Sequence, residues 1–307
     1  MHCPVNRTTV KVAVAALSAL VATGLAAGCT TGGGGGGGSA ARPGPDWTAA
    51  STPAPSAREN GAGAGTGGGE AGPPDAAQRA AAYRKWGLEP LPAPPAAPAV
   101  KPVRTVRTGA ERVPVISDVP TKDKVVFLTI DDGAEKDPKF AEMMRDLDVP
   151  FTMFLTDSAI RADYGYFKPL AALGNGVANH TLTHPNLRTL GAGEQEREIC
   201  GQQRRLRETY GTAPRLFRPP YGNWNEDTRA AAGRCGVDAI VLWRESMQIT
   251  DMQYQRGDRK LHPGDIVLAH FRGPADLKGT SMTEMTANLL RRVQEQGFTV
   301  ARLEDYV

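Results

Sequence analysis

Histidine and cysteine are scarce in this chain, which holds five of the one and four of the other in 307 residues. Imidazoles this rare are not filler, so where they sit carries information. Long hydrophobic runs are missing as well. The apolar stretch Val12 to Ala27 stops short of the roughly 20 residues a membrane span needs, and no stop-transfer flank follows it. Basic tracts are also absent. The formal charge is +3, and it falls to +1 once residues 1–28 are removed, since these take Arg7 and Lys11 and no acid. A near-neutral chain without such a tract has no electrostatic footprint for nucleic acid, and that partner is excluded.

Glycine and proline, by contrast, are plentiful at 35 and 24, and most lie before residue 100, so the length does not describe two folded domains. Arg7 and Lys11 lead into the small-residue run as in a removable export signal. Ala27-Gly28-Cys29 resembles a bacterial lipoprotein cleavage site, although Leu25 lies one position early for that pattern. Cys29 would then be lipidated and tether the protein to the membrane, with ordinary cleavage and secretion as the alternative. Gly32–Gly38 is unbroken glycine and 61–72 is glycine-rich; such segments bury too little apolar surface to offset their ordering entropy. The expected organisation is a lipoprotein-type signal over 1–28, a disordered linker over 29–112 and a catalytic domain over 113–307. A short helix near 76–86 spaces Ala80, Tyr83 and Trp86 three apart, and Trp86 and Leu88 are candidates to dock. Pro90 to Pro102 closes the tether.

From about Val113 apolar strand candidates appear at 125–130, 151–155, 176–179, 215–218, 237–243, 265–270 and 298–303. Helical patterns separate them at 137–147, 166–174, 194–210, 226–235 and 281–296. This alternation predicts parallel βαβ units, hence an α/β barrel or an open doubly wound sheet. In either, functional residues gather at the carboxyl ends of the strands. Cys200 and Cys235 fall in the folded region. A bridge between them would contribute about 3–4 kcal/mol by loop entropy, with two buried free thiols as the alternative.

The strand Val125 to Ile130 ends in Asp131-Asp132-Gly133. Adjacent carboxylates at a buried strand end are costly unless a metal or an arginine answers them. His180 and His184 stand four apart after the strand at 176–179, and His270 closes the one at 265–269. Two imidazoles at that spacing plus one carboxylate make an N,N,O set with an open position, the arrangement of catalytic rather than structural zinc. Pro185 and the threonines argue for a tight loop or the first turn of a helix. Arg218 is followed by Pro219 and Pro220, which stiffen the backbone so that a guanidinium can fork onto a carboxylate.

Thr129-Ile130-Asp131-Asp132-Gly133, then Asn179-His180-Thr181-Leu182-Thr183-His184-Pro185, then Arg218-Pro219-Pro220-Tyr221-Gly222, then Leu268-Ala269-His270 stand in the order that marks the polysaccharide deacetylases. The chain resembles this family, carbohydrate esterase family 4, with its nodulation-protein-type, chitin and peptidoglycan N-deacetylases, over about 120–307. The resemblance implies a distorted (β/α) barrel with a divalent metal on Asp132, His180 and His184. Zinc is the first choice, with cobalt, nickel or manganese as alternatives. It further implies Asp131 as general base, Arg218 orienting it, the Tyr221 amide aiding the oxyanion and His270 as general acid. Leu268 would line the acetyl pocket, and Pro219, Pro220 and Trp243 would border the sugar. The implied substrate is an acetylated cell-surface or environmental glycan and the implied state a monomer.

Two departures stand out. Ile130 replaces an aromatic residue usual before the two acids. After Trp243 the family places aspartates, one of which tethers the acid histidine, whereas this chain reads Arg244-Glu245-Ser246-Met247. Glu245 and Asp251 are the candidate substitutes. The rival readings are a catalytically weak glycan-binding surface protein on the same fold, and a hydrolase of a non-sugar amide or an ester.

Overall fold

The computed structural model describes residues 76–104 and 113–307. The export signal, Cys29 and the linker expected through residue 75 and over 105–112 lie outside the described residues. The strands, in chain order, are β1 (Val115–Ile116), β2 (Val125–Asp132), β3 (Thr152–Leu155), β4 (Gly176–Asn179) and β5 (Leu216–Phe217). β6 (Ala239–Val241), β7 (Glu245–Met247), β8 (Met252–Tyr254), β9 (Ile266–His270) and β10 (Thr299–Val300) follow. One sheet runs β1-β6-β5-β4-β3-β2-β9-β7-β8, parallel throughout except for the β7–β8 hairpin, and β10 pairs with the start of β2. The sheet curls into a distorted, open (β/α) barrel whose edge strands β1 and β8 do not pair.

β2 is the central strand because nothing in it needs water before its end. Its first seven residues are buried, as expected of a parallel strand covered on both faces. Side chains alternate. Val126, Leu128 and Ile130 join the core under the helices, while Val125 and Phe127 join the core inside the barrel. Thr129 and Asp131 continue the inward row towards the carboxyl end.

The helices are α1 (Ala76–Lys85), α2 (Pro138–Leu147), α3 (Asp157–Ile160), α4 (Phe167–Ala172), α5 (Ala192–Tyr210), α6 (Glu226–Arg234) and α7 (Met282–Glu295). Their starts follow from capping chemistry. Asp137 accepts from the Lys139 amide before Pro138, and Ser281 and Glu284 form a reciprocal capping box on α7. A disulfide joins Cys200 on α5 to Cys235 at the end of α6. Among the described residues no helix is long and apolar enough to cross a membrane.

Over 76–104 the chain is packed on the barrel rather than strung out as linker. Tyr83, Leu88 and Leu91 are buried in the core under the helices, and Trp86 Nε1 donates to Asp146 at 2.8 Å. Lys101 Nζ reaches the carbonyls of Glu304 and Val307 at 2.6 and 2.7 Å. Composition misleads here because prolines leave the side chains between them free to be buried. Tyr83 is 1% exposed, so Tyr83→Ala is expected to lower unfolding free energy by about 3 kcal/mol in urea titrations. A loss below about 0.5 kcal/mol would show that α1 does not belong to the cooperative unit.

Candidate active site at the carboxyl ends of the strands

The site begins where β2 stops. Asp132 adopts φ 73° and Gly133 φ 92°, so the chain turns sharply. Asp tolerates this left-handed region, and at the next position only glycine fits, because a Cβ on Gly133 would meet Ile160 at 2.4 Å. The turn keeps the two carboxylates together but gives them different surroundings: Asp131 is 2% exposed, whereas Asp132 is only partly buried.

His180 follows β4 directly. Its Nδ1 lies 2.7 Å from the Arg218 carbonyl, which selects the tautomer with hydrogen on Nδ1 and leaves the Nε2 lone pair free. That Nε2 stands 3.6 Å from Asp131 Oδ2 and 3.5 Å from Asp132 Oδ1. His184 Nε2 approaches Asp132 Oδ1 at 3.2 Å. The two histidines meet across a tight loop, not a helical turn, with Thr181 and His184 both left-handed at φ 73° and 60°.

Arg218, at the end of β5, is fully buried and every direction it points is answered. Nη1 donates to Asp131 Oδ1 at 2.6 Å and Thr129 Oγ1 at 3.0 Å, Nε to the Val241 carbonyl at 2.9 Å, and Nη2 to the Leu242 carbonyl at 3.1 Å. The guanidinium lies over the Phe154 ring at 4.2 Å and over Trp243 at 5.6 Å. Pro219 is extended, and Pro220 opens a short turn through Gly222 in which Tyr221 takes φ 61°. The Tyr221 ring is 63% exposed and packs edge-on against His184 at 4.8 Å.

β9 pairs with β2 so that Leu268 faces Thr129 and His270 faces Asp131. Period-two alternation therefore puts Leu268 and His270 on the inward row beside the acids. No hydrogen bond reaches the His270 ring among the described residues. Glu245 does not supply one. It is buried near Arg256 Nη1 at 3.5 Å, and Arg256 also binds Asp265 at 2.7 Å, at the opposite end of β9 from His270. Asp251 sits exposed beyond β7 and pairs with Arg292 at 3.2 Å. Neither substitutes for the family's tethering aspartate.

The electrostatics separate the neighbouring acids. Burial pushes Asp131 up, against the pull of Arg218 and His270. Burial also penalises a charged Asp132, but the imidazoles of His184, His180 and His270 outweigh it and hold that carboxyl well below the usual range. Burial drives His180 down to about 3, so it is neutral at physiological pH, and it drives His270 down as well.

Asp132, His180 and His184 offer one oxygen and two nitrogens, all within 4.8 Å of one another. Asp132 Oδ1 is buried without a hydrogen-bond partner and faces the Nε2 atoms of His180 and His184 at 3.5 and 3.2 Å. Those donors fit a divalent cation. Thr129 and Phe154, which hold Arg218, were not legible in the sequence. Each looks like an ordinary strand residue, and only the strand register brings them to the guanidinium.

Comparison with known proteins agrees with this geometry. Residues 118–240 match the polysaccharide deacetylase family model. An uncharacterised protein of Streptomyces coelicolor is 43% identical over 200 residues, covering 65% of this chain and 79% of its own. A chitooligosaccharide deacetylase of Sinorhizobium fredii is 30% identical over 195 residues, covering 58% of this chain and 89% of its own. Among solved structures, a mutant of a Bacillus anthracis family 4 carbohydrate esterase pseudoenzyme with restored activity superposes with TM-score 0.54 at 26% identity, covering 63% of this chain and 71% of its own. With its four motifs gathered at one end of a curled parallel sheet, the chain belongs to the polysaccharide deacetylase family.

Proposed function

We propose that this protein is a metal-dependent hydrolase that removes N-acetyl groups from a peptidoglycan- or chitin-like glycan. The observation that carries the reading is the orphaned Asp132 Oδ1 facing His180 and His184, one residue from an acid held by a buried arginine. Asp132, His180 and His184 would hold the divalent ion, with zinc as the first choice for two nitrogens and an oxygen. When bound, such an ion supplies Lewis acidity towards water and the acetyl carbonyl.

The remaining steps fall to the chain's own groups. Arg218 occupies Asp131 Oδ1, which leaves Oδ2 to accept the proton of the attacking water, and burial makes that carboxylate a stronger base. The Tyr221 amide, presented by the turn after Pro219 and Pro220, donates to the developing oxyanion. The C–N bond then breaks, and His270, in the protonated form that Asp131 and Asp132 favour against burial, gives a proton to the leaving amine. Leu268 beside the acids closes the pocket round the acetyl methyl, and Trp243 backs the sugar. Lipidation of Cys29 would place the enzyme outside the cytoplasm on the membrane, as a monomer acting on an acetylated glycan, with secretion as the alternative.

A second reading is a glycan-binding protein with little turnover. The bare His270 ring favours it, and it predicts metal and glycan binding without acetate release.

Acetate release from N-acetylated oligosaccharides is expected to stop on chelation and to return with zinc. Asp131→Asn should keep the metal and lose at least about 10²-fold in rate. Release that persists in Asp132→Ala and His184→Ala would refute the metal assignment. A further expectation concerns stability. Unfolded His180 takes a proton near its ordinary 6.5, folded His180 only near about 3. Between these values the unfolded state binds one proton more, so metal-free stability falls on acidification by up to about 1.4 kcal/mol per pH unit from this residue. His180→Gln lacks that loss. Its stability deficit against the parent, measured after chelation, should shrink between pH 7 and pH 4, and a constant deficit would contradict the burial argument.

A further inference from the structure

The two histidine donors are not held equally. His180 is buried and tied through Nδ1 to the Arg218 carbonyl. The His184 side chain is 28% exposed, and its backbone takes a left-handed conformation that a non-glycine residue adopts only under constraint. Its amide reaches Thr181 Oγ1 at 3.1 Å, but Thr181 is itself left-handed. Something outside the loop must hold it.

The Asp157 and Ser158 amides bind the Thr181 and Leu182 carbonyls at 3.3 and 2.9 Å, but the residue next to His184 is held from α5. Glu198 accepts from the Thr183 amide through Oε2 at 2.8 Å and from Thr183 Oγ1 through Oε1 at 2.8 Å. Its carbonyl accepts from the Leu182 amide at 3.2 Å. Three bonds from a single residue thus grip the loop between the two donors, and two of them are charge-assisted. Among the described residues Glu198 pairs with no basic side chain, so its carboxylate serves Thr183 alone. The surrounding turn of α5 is rigid. The carbonyl of Ile199 and Gln203 Oε1 bind Asn179 Nδ2 at 2.9 and 2.8 Å, and a Cβ on Gly201 would strike Leu182 at 2.4 Å. Cys200, in the same turn, is bonded to Cys235 on α6.

We infer that Glu198 is a positioning residue that sets the metal affinity of the site by fixing the His184 loop. The inference rests on the Asp132, His180, His184 reading above. Without the carboxylate, Thr183 turns to water, the strained backbone relaxes, and His184 spends part of its time away from Asp132. Partners of this kind that orient a ligand change metal affinity by about 10- to 100-fold.

The test is zinc affinity of the full chain by competition with a chromophoric chelator, run beside thermal melting of the metal-free protein. Glu198→Ala should raise the zinc Kd by about 10- to 100-fold, and Thr183→Val should move it the same way. Glu198→Gln, whose amide can still meet Thr183 on both sides, should recover most of the affinity. Acetate release by Glu198→Ala should return towards the parent value at saturating zinc. Glu196→Ala, which removes an ion pair from α5 to Arg234 on α6, should leave the Kd unchanged. An unchanged Kd in Glu198→Ala, or lowered melting with the parent affinity, overturns the inference while the metal site stands. A parent that binds no zinc overturns both.

Discussion

The site depends on an ion pair that solvent does not reach. Arg218 and Asp131 are both buried, and desolvating a charge costs several kcal/mol per ion even after the protein relaxes. The pair is tolerable because no part of it is left over. The guanidinium has Asp131, Thr129 and two backbone carbonyls as acceptors, with aromatic rings of Phe154 and Trp243 against it. These partners come from β2, β3 and the β6 end, so several strands of the barrel converge on one side chain. Fixing Arg218 fixes its carbonyl too, and that carbonyl sets the His180 tautomer. Asp131 and His180 are thereby oriented by the same residue.

That geometry lets two adjacent aspartates differ. Desolvation dominates for Asp131 and raises it, while the imidazoles around Asp132 overcome desolvation and lower it. Neighbouring groups pushed apart in this way can divide into a proton acceptor and a permanent anion. Strand alternation alone would have sent them to opposite faces; the left-handed turn at Asp132 and Gly133 keeps both near His180.

Among the described residues His270 has no such partners. The stretch after Trp243 contributes to a different structure: Arg244 binds Asp118 at 2.6 Å, and Glu245 lies with Arg256 and Asp265 low on β9. Burial, with Asp265 beside it, pushes Glu245 up, and its carboxyl contacts Arg256 at 3.5 Å, not His270. A family 4 pseudoenzyme among the structural relatives shows that this fold does not guarantee turnover.

Much of this was legible in the chain itself. Apolar runs marked seven strands and helical periodicity marked five helices, because burial of a strand and of one helix face are local requirements. The order of Asp131-Asp132, His180, His184, Arg218 and His270 carried the site. The short β1, the β7–β8 hairpin and α3 were invisible, being too brief to show a period. The docking of Leu91, Lys101 and Val103 was hidden by proline content, and the fate of Glu245 and Asp251 by the hairpin that separates them from His270. Sequence determines which groups are present and which strand each one ends. Register, the turn at Asp132 and the packing around Arg218 decide which groups meet, because these depend on contacts between residues far apart in the chain.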